Sequence, residues 1–296
     1  MILLFKLLAQ IPLPVLRWVG VMLGWMAWLF SSRYRRLHRN NWQTAVDSGR
    51  LQIPDHDQKR LYRKAIGQGG LLAAELPKLW CKPDVISKIT LVGLEHWQAA
   101  VRQGKGVLLL TPHLGAFELI PRVLAAQAPI TVLYRPARQQ VVRRLMETLR
   151  PAPGVQTAPA SGAGVRQLLR TLRAGHTVGM LPDQVPSGGE GQWARFFGRP
   201  AYTMTLPIRL IQSTGAAVVW AVAMRTPGGW RLEFAQWDLP FDPSSASITE
   251  AIEAMNRGLE DQIAHAPEQY LWAYKRYKRP KSSASPEQHD TDKAVQ

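Results

Sequence analysis

The chain has 296 residues, 46% of them hydrophobic, which suffices for one large or two small packed domains. Its formal charge of +16 and its eleven tryptophans point to an anionic partner surface, and nucleic acid, anionic lipid and an acidic carrier protein all satisfy that balance. A single cysteine, Cys81, excludes an internal disulfide and a multi-cysteine zinc site, and its neighbours Leu79 and Trp80 mark a packed, inert thiol.

Residues 1–30 are mostly apolar, interrupted by Lys6, Gln10, Pro12, Pro14 and Arg17. The cleanest run, 18–30, is short of the ~20 residues that cross a bilayer. Counted from Ile2 the segment is long enough, provided that the prolines kink the helix and Lys6 snorkels. It outlasts the apolar part of a signal peptide, and no small-residue cleavage site follows it. Arg33, Arg35, Arg36 and Arg39 come next, which by the positive-inside rule places the remainder in the cytoplasm. We therefore expect residues 1–32 to form an uncleaved single-pass anchor; the alternative is an amphipathic helix lying on the membrane surface.

Residues 40–80 read as helical, with Arg and Lys on one side and Leu and Ala on the other. From Lys88 strands and helices alternate. Strands are expected at 89–92, 107–110, 130–134, 155–158, 178–181, 217–224 and 230–237, the last two joined as a hairpin through Pro227-Gly228-Gly229. Helices are expected at 95–102, 116–126, 139–149, 164–173 and 248–264. That alternation predicts an α/β fold, a mixed but mostly parallel sheet flanked by helices, over residues 33–280. Residues 281–296 are polar and Ser-rich and are expected to be disordered.

The chain is organised around residues 107–118. Val107 to Leu110 suit a strand buried on both faces, Thr111 and Pro112 stop it, and Gly115 loosens the turn into a helix. His113 thus lands at the carboxyl end of a buried strand and Glu118 near the first turn of the next helix, in the crevice where open α/β sheets bind ligands. Across such a corner Glu118 can hold the imidazole in one tautomer, leaving His113 as a general base for an alcohol. The plainer alternative is a capping Glu beside a polar loop His. Tyr134-Arg135-Pro136 and Pro182-Asp183-Gln184 close two further strands on what should be the same rim. A Gly-rich loop mixing aromatic and cationic residues follows at 190–199.

Other chemistries fall away. There is no Gly-x-Ser-x-Gly elbow, Gly104-Lys105-Gly106 lacks the rest of a phosphate loop, and the seven histidines show no metal-ligand spacing. The basic residues are dispersed and no groove-reading motif accompanies them, so nucleic acid is not the expected partner.

His113-Leu-Gly-Ala-Phe-Glu118 resembles the His-x4-Asp/Glu motif of the glycerolipid and lipid A acyltransferases. Within that superfamily the chain is most similar to the bacterial lipid A biosynthesis (lauroyl/myristoyl) acyltransferases. Tyr134-Arg135-Pro136 resembles their second block, Leu181 to Gln184 with Phe196-Phe197-Gly198 their third, and Pro267 to Arg276 their closing signature. The likeness covers about residues 5–280, and the Leu-Gly-Ala-Phe filling and Tyr274 depart from the usual pattern. It implies a membrane-bound acyltransferase domain over residues 33–280 and an anchor in the bacterial inner membrane, with the domain facing the cytoplasm. It further implies transfer of an acyl chain from an acyl carrier protein or acyl-CoA thioester to a hydroxyl of a lipid A precursor, without a further cofactor or metal. A lysophospholipid or amino-acid-derived lipid is the alternative acceptor. On this reading His113 is the base and Glu118 its orienter, Arg135 and Arg150 are the candidates to stabilise the developing oxyanion, and Asp183 and Gln184 position a partner group or the acceptor. The plainer alternatives are a helix-terminal cation for Arg150 and a turn residue for Asp183. The basic tail Lys275, Arg276, Lys278 and Arg279 would meet the membrane surface.

Overall fold

The computed structural model describes residues 2–135, 137, 139–186 and 190–280, so the tail expected to be disordered lies outside the described residues, as do Pro136 and Arg138. Five helices come first: α1 (Ile2–Leu8), α2 (Leu13–Phe30), α3 (Ser32–Asp47), α4 (Asp55–Gln68) and α5 (Leu71–Cys81). Pro12 breaks α1 from α2, and Ser31 ends α2 and caps α3, its hydroxyl accepting from the Tyr34 amide at 3.2 Å. Strands and helices then alternate: β1 (Ile89–Val92), α6 (Leu94–Arg102), β2 (Val107–Leu110), α7 (Leu119–Ala125), β3 (Ile130–Tyr134), α8 (Gln140–Leu149), β4 (Val155–Pro159), α9 (Gly162–Arg173) and β5 (Thr177–Met180). Then come β6 (Gly191–Phe196), β7 (Arg199–Met204), α10 (Leu206–Thr214), β8 (Ala217–Thr226), β9 (Gly229–Gln236) and α11 (Ile248–Ala264), followed by a closing segment that runs to residue 280.

The strands expected from the sequence all form, and they join in the order β1-β9-β8-β2-β5-β3-β4. Among the described strands of this sheet only β8 and β9 pair antiparallel, as the hairpin predicts, so β8, β2, β5, β3 and β4 run in one direction. Alternate residues along β2 serve two cores. Leu108 and Leu110 join the layer holding α9, α10 and α11, while Val107 and Leu109 join the layer of α5, α6 and α7. A strand buried on both faces is apolar throughout for this reason. Two elements were not foreseen. The loop expected at 190–199 is instead the turn and one arm of the β6–β7 hairpin, which buries Phe196 and Phe197, and α10 follows it. Its Gly-aromatic-cation mix disguises a strand whose partner lies directly after the turn.

His38 on α3 is 1% exposed, with its ring 5.4 Å from Tyr62 and 6.0 Å from Tyr34. Burial pulls its pKa from 6.5 down to about 4, against a smaller upward pull from the Ala65 carbonyl. Between those two values the unfolded chain binds a proton that the folded chain refuses, so stability is lost as pH falls through that window. The loss is about 2 kcal/mol by pH ~5. Denaturant unfolding of the wild type at pH ~7 and pH ~5 should show it, and His38→Phe should remove it. An equal acid loss in the variant would place the sensitivity in other groups.

Candidate active site

The site is set by strand adjacency. Leu110 at the end of β2 stands in register with Met180 at the end of β5, and the Thr111 amide donates to the Met180 carbonyl at 3.1 Å. The two chains therefore leave the sheet side by side, one towards His113 and the other towards Asp183. β3 pairs on the other side of β5 and delivers Arg135 to the same rim. Gly115 turns the first chain with φ +60°, and a side chain there would strike the Ala223 carbonyl, which accepts from the Ala116 amide. The closing segment holds this loop from outside: the Leu271 amide donates to the His113 carbonyl at 3.1 Å, and the Gly115 amide to the Gln269 carbonyl at 3.0 Å.

Asp183 grips His113 at two points. One carboxylate oxygen accepts from the His113 amide at 2.9 Å and the other lies 2.7 Å from Nδ1 of the ring. The Phe117 ring packs edge-on at 4.9 Å, and the Gln184 amide nitrogen lies 3.1 Å from Nε2. With Nδ1–H donating to the carboxylate, Nε2 carries the lone pair that accepts from Gln184. Asp183 is 1% exposed, and burial pushes its carboxyl up. The positive charge of protonated His113 and the two hydrogen bonds outweigh burial, leaving its pKa below the usual carboxylate range. Behind it lie Tyr270 and Arg276, and the positive charge of Arg276 also favours the carboxylate. Arg276 is 2% exposed and donates to the Tyr202 carbonyl at 2.8 Å and the Thr203 hydroxyl at 2.6 Å. It thus props the site instead of meeting a membrane surface, as the basic tail was expected to do.

Glu118 does not orient the imidazole, which corrects the expectation drawn from its spacing. Both its oxygens are taken by Arg150, at 2.8 and 2.9 Å in a bidentate pair, and one also accepts from the Trp80 indole at 3.1 Å. Nor does it cap α7: it stands at the N-cap position without a side-chain bond to the helix. The reason is geometric. The Gly115 turn carries the chain away from the ring, and the carboxylate reaches Arg150 at the end of α8. Arg150 also lies 5.6 Å over the Tyr134 ring, and Arg122 secures the corner by donating to the Trp80, Leu149 and Arg150 carbonyls. Trp80 and Arg122 gave no signal in the sequence, since each acts through a fold-dependent neighbour.

His113, Glu118, Arg135, Arg150 and Gln184 all line one cavity of about 610 Å³, whose walls are otherwise mainly apolar and include Phe5 from α1, Leu76 from α5 and Leu145 from α8. A second cavity of about 210 Å³ shares Glu118 and Arg150. Among the described residues no group of three or more His, Cys, Asp and Glu is placed to hold a metal ion. An imidazole anchored at Nδ1 by a buried carboxylate, on the wall of a mainly apolar cavity with arginines at its rim, can take a proton from a hydroxyl at Nε2 and lodge an aliphatic chain beside it.

This geometry predicts the tautomer. In mildly alkaline solution the ¹⁵N spectrum of His113 should be that of the Nδ1–H form, and Asp183→Asn should convert it to a mixture. A wild-type imidazole dominated by the Nε2–H form would contradict the arrangement.

Residues 1–279 match the family described as bacterial lipid A biosynthesis acyltransferase. The chain is 28% identical over 287 residues to the lipid A biosynthesis palmitoleoyltransferase of Escherichia coli K12, covering 93% of this chain and 89% of the relative. It is 24% identical over 275 residues to the lauroyltransferase of the same organism, covering 92% and 88%. A lipid A biosynthesis acyltransferase of Haemophilus influenzae is 29% identical over 186 residues, 61% of this chain and 56% of the relative. With the family matched over nearly the whole length of the sequence, the assignment follows: the chain is an acyltransferase, a member of the bacterial lipid A biosynthesis acyltransferase family.

Proposed function

We propose that this protein transfers a fatty acyl chain from an acyl carrier protein thioester to a hydroxyl of a lipid A precursor at the cytoplasmic face of the bacterial inner membrane. The observation that carries the reading is the His113 imidazole, fixed at Nδ1 by Asp183 and bonded at Nε2 only to the Gln184 amide, on the wall of the large apolar cavity. The acceptor hydroxyl displaces the Gln184 amide from Nε2 and gives its proton there as its oxygen attacks the thioester carbonyl. The tetrahedral oxyanion lies beside Arg135 and Arg150. When the carbon–sulfur bond breaks, the carbonyl re-forms as an ester and the His113 proton passes to the departing thiolate. Asp183 holds the tautomer and stabilises the imidazolium between the two proton transfers. Glu118 serves the reaction through Arg150, whose guanidinium it aims and whose charge it balances. The cavity's apolar walls accommodate the acyl chain.

The acidic donor finds cations near the mouth. Arg135, Arg143 and Arg144 are exposed, the last two on α8, whose Val142 and Leu145 line the cavity. Such charges steer association with an acidic carrier more than they change the bound chemistry.

Purified His113→Ala, supplied with acyl carrier protein thioester and lipid A precursor, should transfer roughly 10²–10⁴ more slowly than wild type, read by mass spectrometry of the product. Transfer at the wild-type rate by a folded variant would overturn the mechanism. Arg143→Glu combined with Arg144→Glu should raise the KM for the acyl carrier protein donor at low salt and leave kcat unchanged, with the difference fading as salt rises. An unchanged KM at low salt would remove α8 from donor docking.

A further inference from the structure

α2 is apolar enough to cross a bilayer, with a mean hydropathy of 1.5 over its 18 residues, and its length is about 27 Å. Its contacts oppose a crossing. Leu13, Leu16, Gly20 and Gly24 form a buried stripe along the helix, and Gly20 and Gly24 lie so close to Leu71 and to the Ile66 and Gly67 carbonyls that neither has room for a side chain. Arg17 bonds Glu75 of α5 at 2.7 Å, and Glu75 in turn bonds Arg225 of β8 at 2.7 Å. Arg17 also donates to the Thr226 carbonyl and to the Gly229 carbonyl at 2.6 Å, capping the β8–β9 hairpin. The far half is tied as well, the Trp28 indole donating to the Tyr62 hydroxyl of α4 at 3.3 Å.

Both flanks of α2 return to the same body. Before it, Phe5 of α1 lines the cavity of His113, its ring 5.8 Å from Trp80, the residue that donates to Glu118. After it, Asn41 of α3 donates to the Trp272 and Tyr274 carbonyls, both at 2.7 Å. A helix standing across hydrocarbon of ~30 Å would leave one of these flanks on the far side. It would also drag the Glu75 ion network and the charged face of α4 into lipid, where charged groups carry a heavy cost. The outer face is different: Trp18 is 64% exposed, Phe30 83% and Leu3 71%, with Met22, Met26 and Leu29 between them. That is a larger apolar surface than a water-facing helix carries. Exposed Arg33, Arg36 and Arg39 on α3 directly follow it, a placement that suits anionic headgroups.

We infer that α1 and α2 lie in the plane of one leaflet, their outer faces in its hydrocarbon and their inner faces on the catalytic body, and do not cross the membrane. This replaces the single-pass anchor expected from the sequence, and it rests on the membrane location proposed above. Phe5 is then both a membrane-level residue and a wall of the site, so a lipid acceptor reaches His113 sideways from the leaflet without passing through water.

Two measurements on the full chain test the placement. In a Cys81→Ser background, one variant carries a short, neutral hydrophilic tag with a single cysteine ahead of residue 2, and the other carries Ser213→Cys on α10. Both are exposed to a membrane-impermeant maleimide in sealed spheroplasts. The expected result is protein in the membrane fraction whose two sites label at least tenfold more after permeabilisation than before. Labelling of the tag in sealed spheroplasts, with Ser213→Cys protected, would establish a crossing and overturn the inference while leaving the membrane location intact. Recovery of the protein in the soluble fraction would overturn the membrane location and this inference with it. The second measurement places a spin label at Trp18→Cys or Leu29→Cys in phosphatidylethanolamine–phosphatidylglycerol vesicles. The two sites are three turns apart on one face, about 17 Å along the axis. An in-plane helix puts them within a few Å of the same depth, and a depth difference near the full 17 Å would again overturn the inference.

Discussion

The two-point grip of Asp183 on His113 is the constraint around which the molecule is arranged. One carboxylate oxygen fixes the backbone and the other the ring, so the imidazole has neither a free rotation nor a choice of tautomer. The grip exists because β2 and β5 are adjacent, parallel and in register up to their last residues. Burying a carboxylate this deeply is unfavourable unless its lone pairs are satisfied, and here they meet the backbone amide and the ring N–H of His113. The closing segment places Tyr270 and Arg276 beside the same carboxylate. A stretch far from His113 in sequence thus belongs to the same electrostatic unit.

A second ion pair shapes the space in front of the base. Glu118, Arg150 and Trp80 come from the start of α7, the end of α8 and α5, three elements on one layer of the sheet. Their bonds stand between a large cavity and a small one. An exposed Arg–Glu pair contributes little, but this one is mostly shielded from water and bidentate, so breaking either partner leaves a charge without compensation. The arrangement keeps a cation at the cavity wall and aims it, which is what a developing oxyanion needs.

The first thirty residues are continuous with this site. Arg17 reaches Glu75, Glu75 reaches Arg225, and Arg225 donates to the Gly115 carbonyl at 3.0 Å inside the loop that carries His113. Gln269 bonds Arg225 through both backbone polar groups and accepts Gly115 on its own carbonyl. The apolar N-terminal helix and the catalytic loop therefore share one polar network, and the helix cannot move far without disturbing that loop.

Much of this was legible in residue order. Val107 to Leu110 had to be a central strand because nothing in it tolerates water, and β1, β3, the β8–β9 hairpin and α11 followed from local period and turn chemistry. His113 at a strand end, with Arg135 and Asp183 closing two further strands, was readable as one rim, since parallel strands share their carboxyl edge. Which acid meets the histidine was not. The five-residue spacing made Glu118 the natural candidate, yet the β2–β5 pairing brings Asp183 from seventy positions away and the Gly115 turn sends Glu118 to Arg150. Pairing between distant strands is decided by the sum of many packed contacts, and no local pattern encodes it. The same holds for α2: hydropathy counts apolar residues, whereas the stripe of Leu13, Leu16, Gly20 and Gly24 takes its meaning only from the helices packed against it.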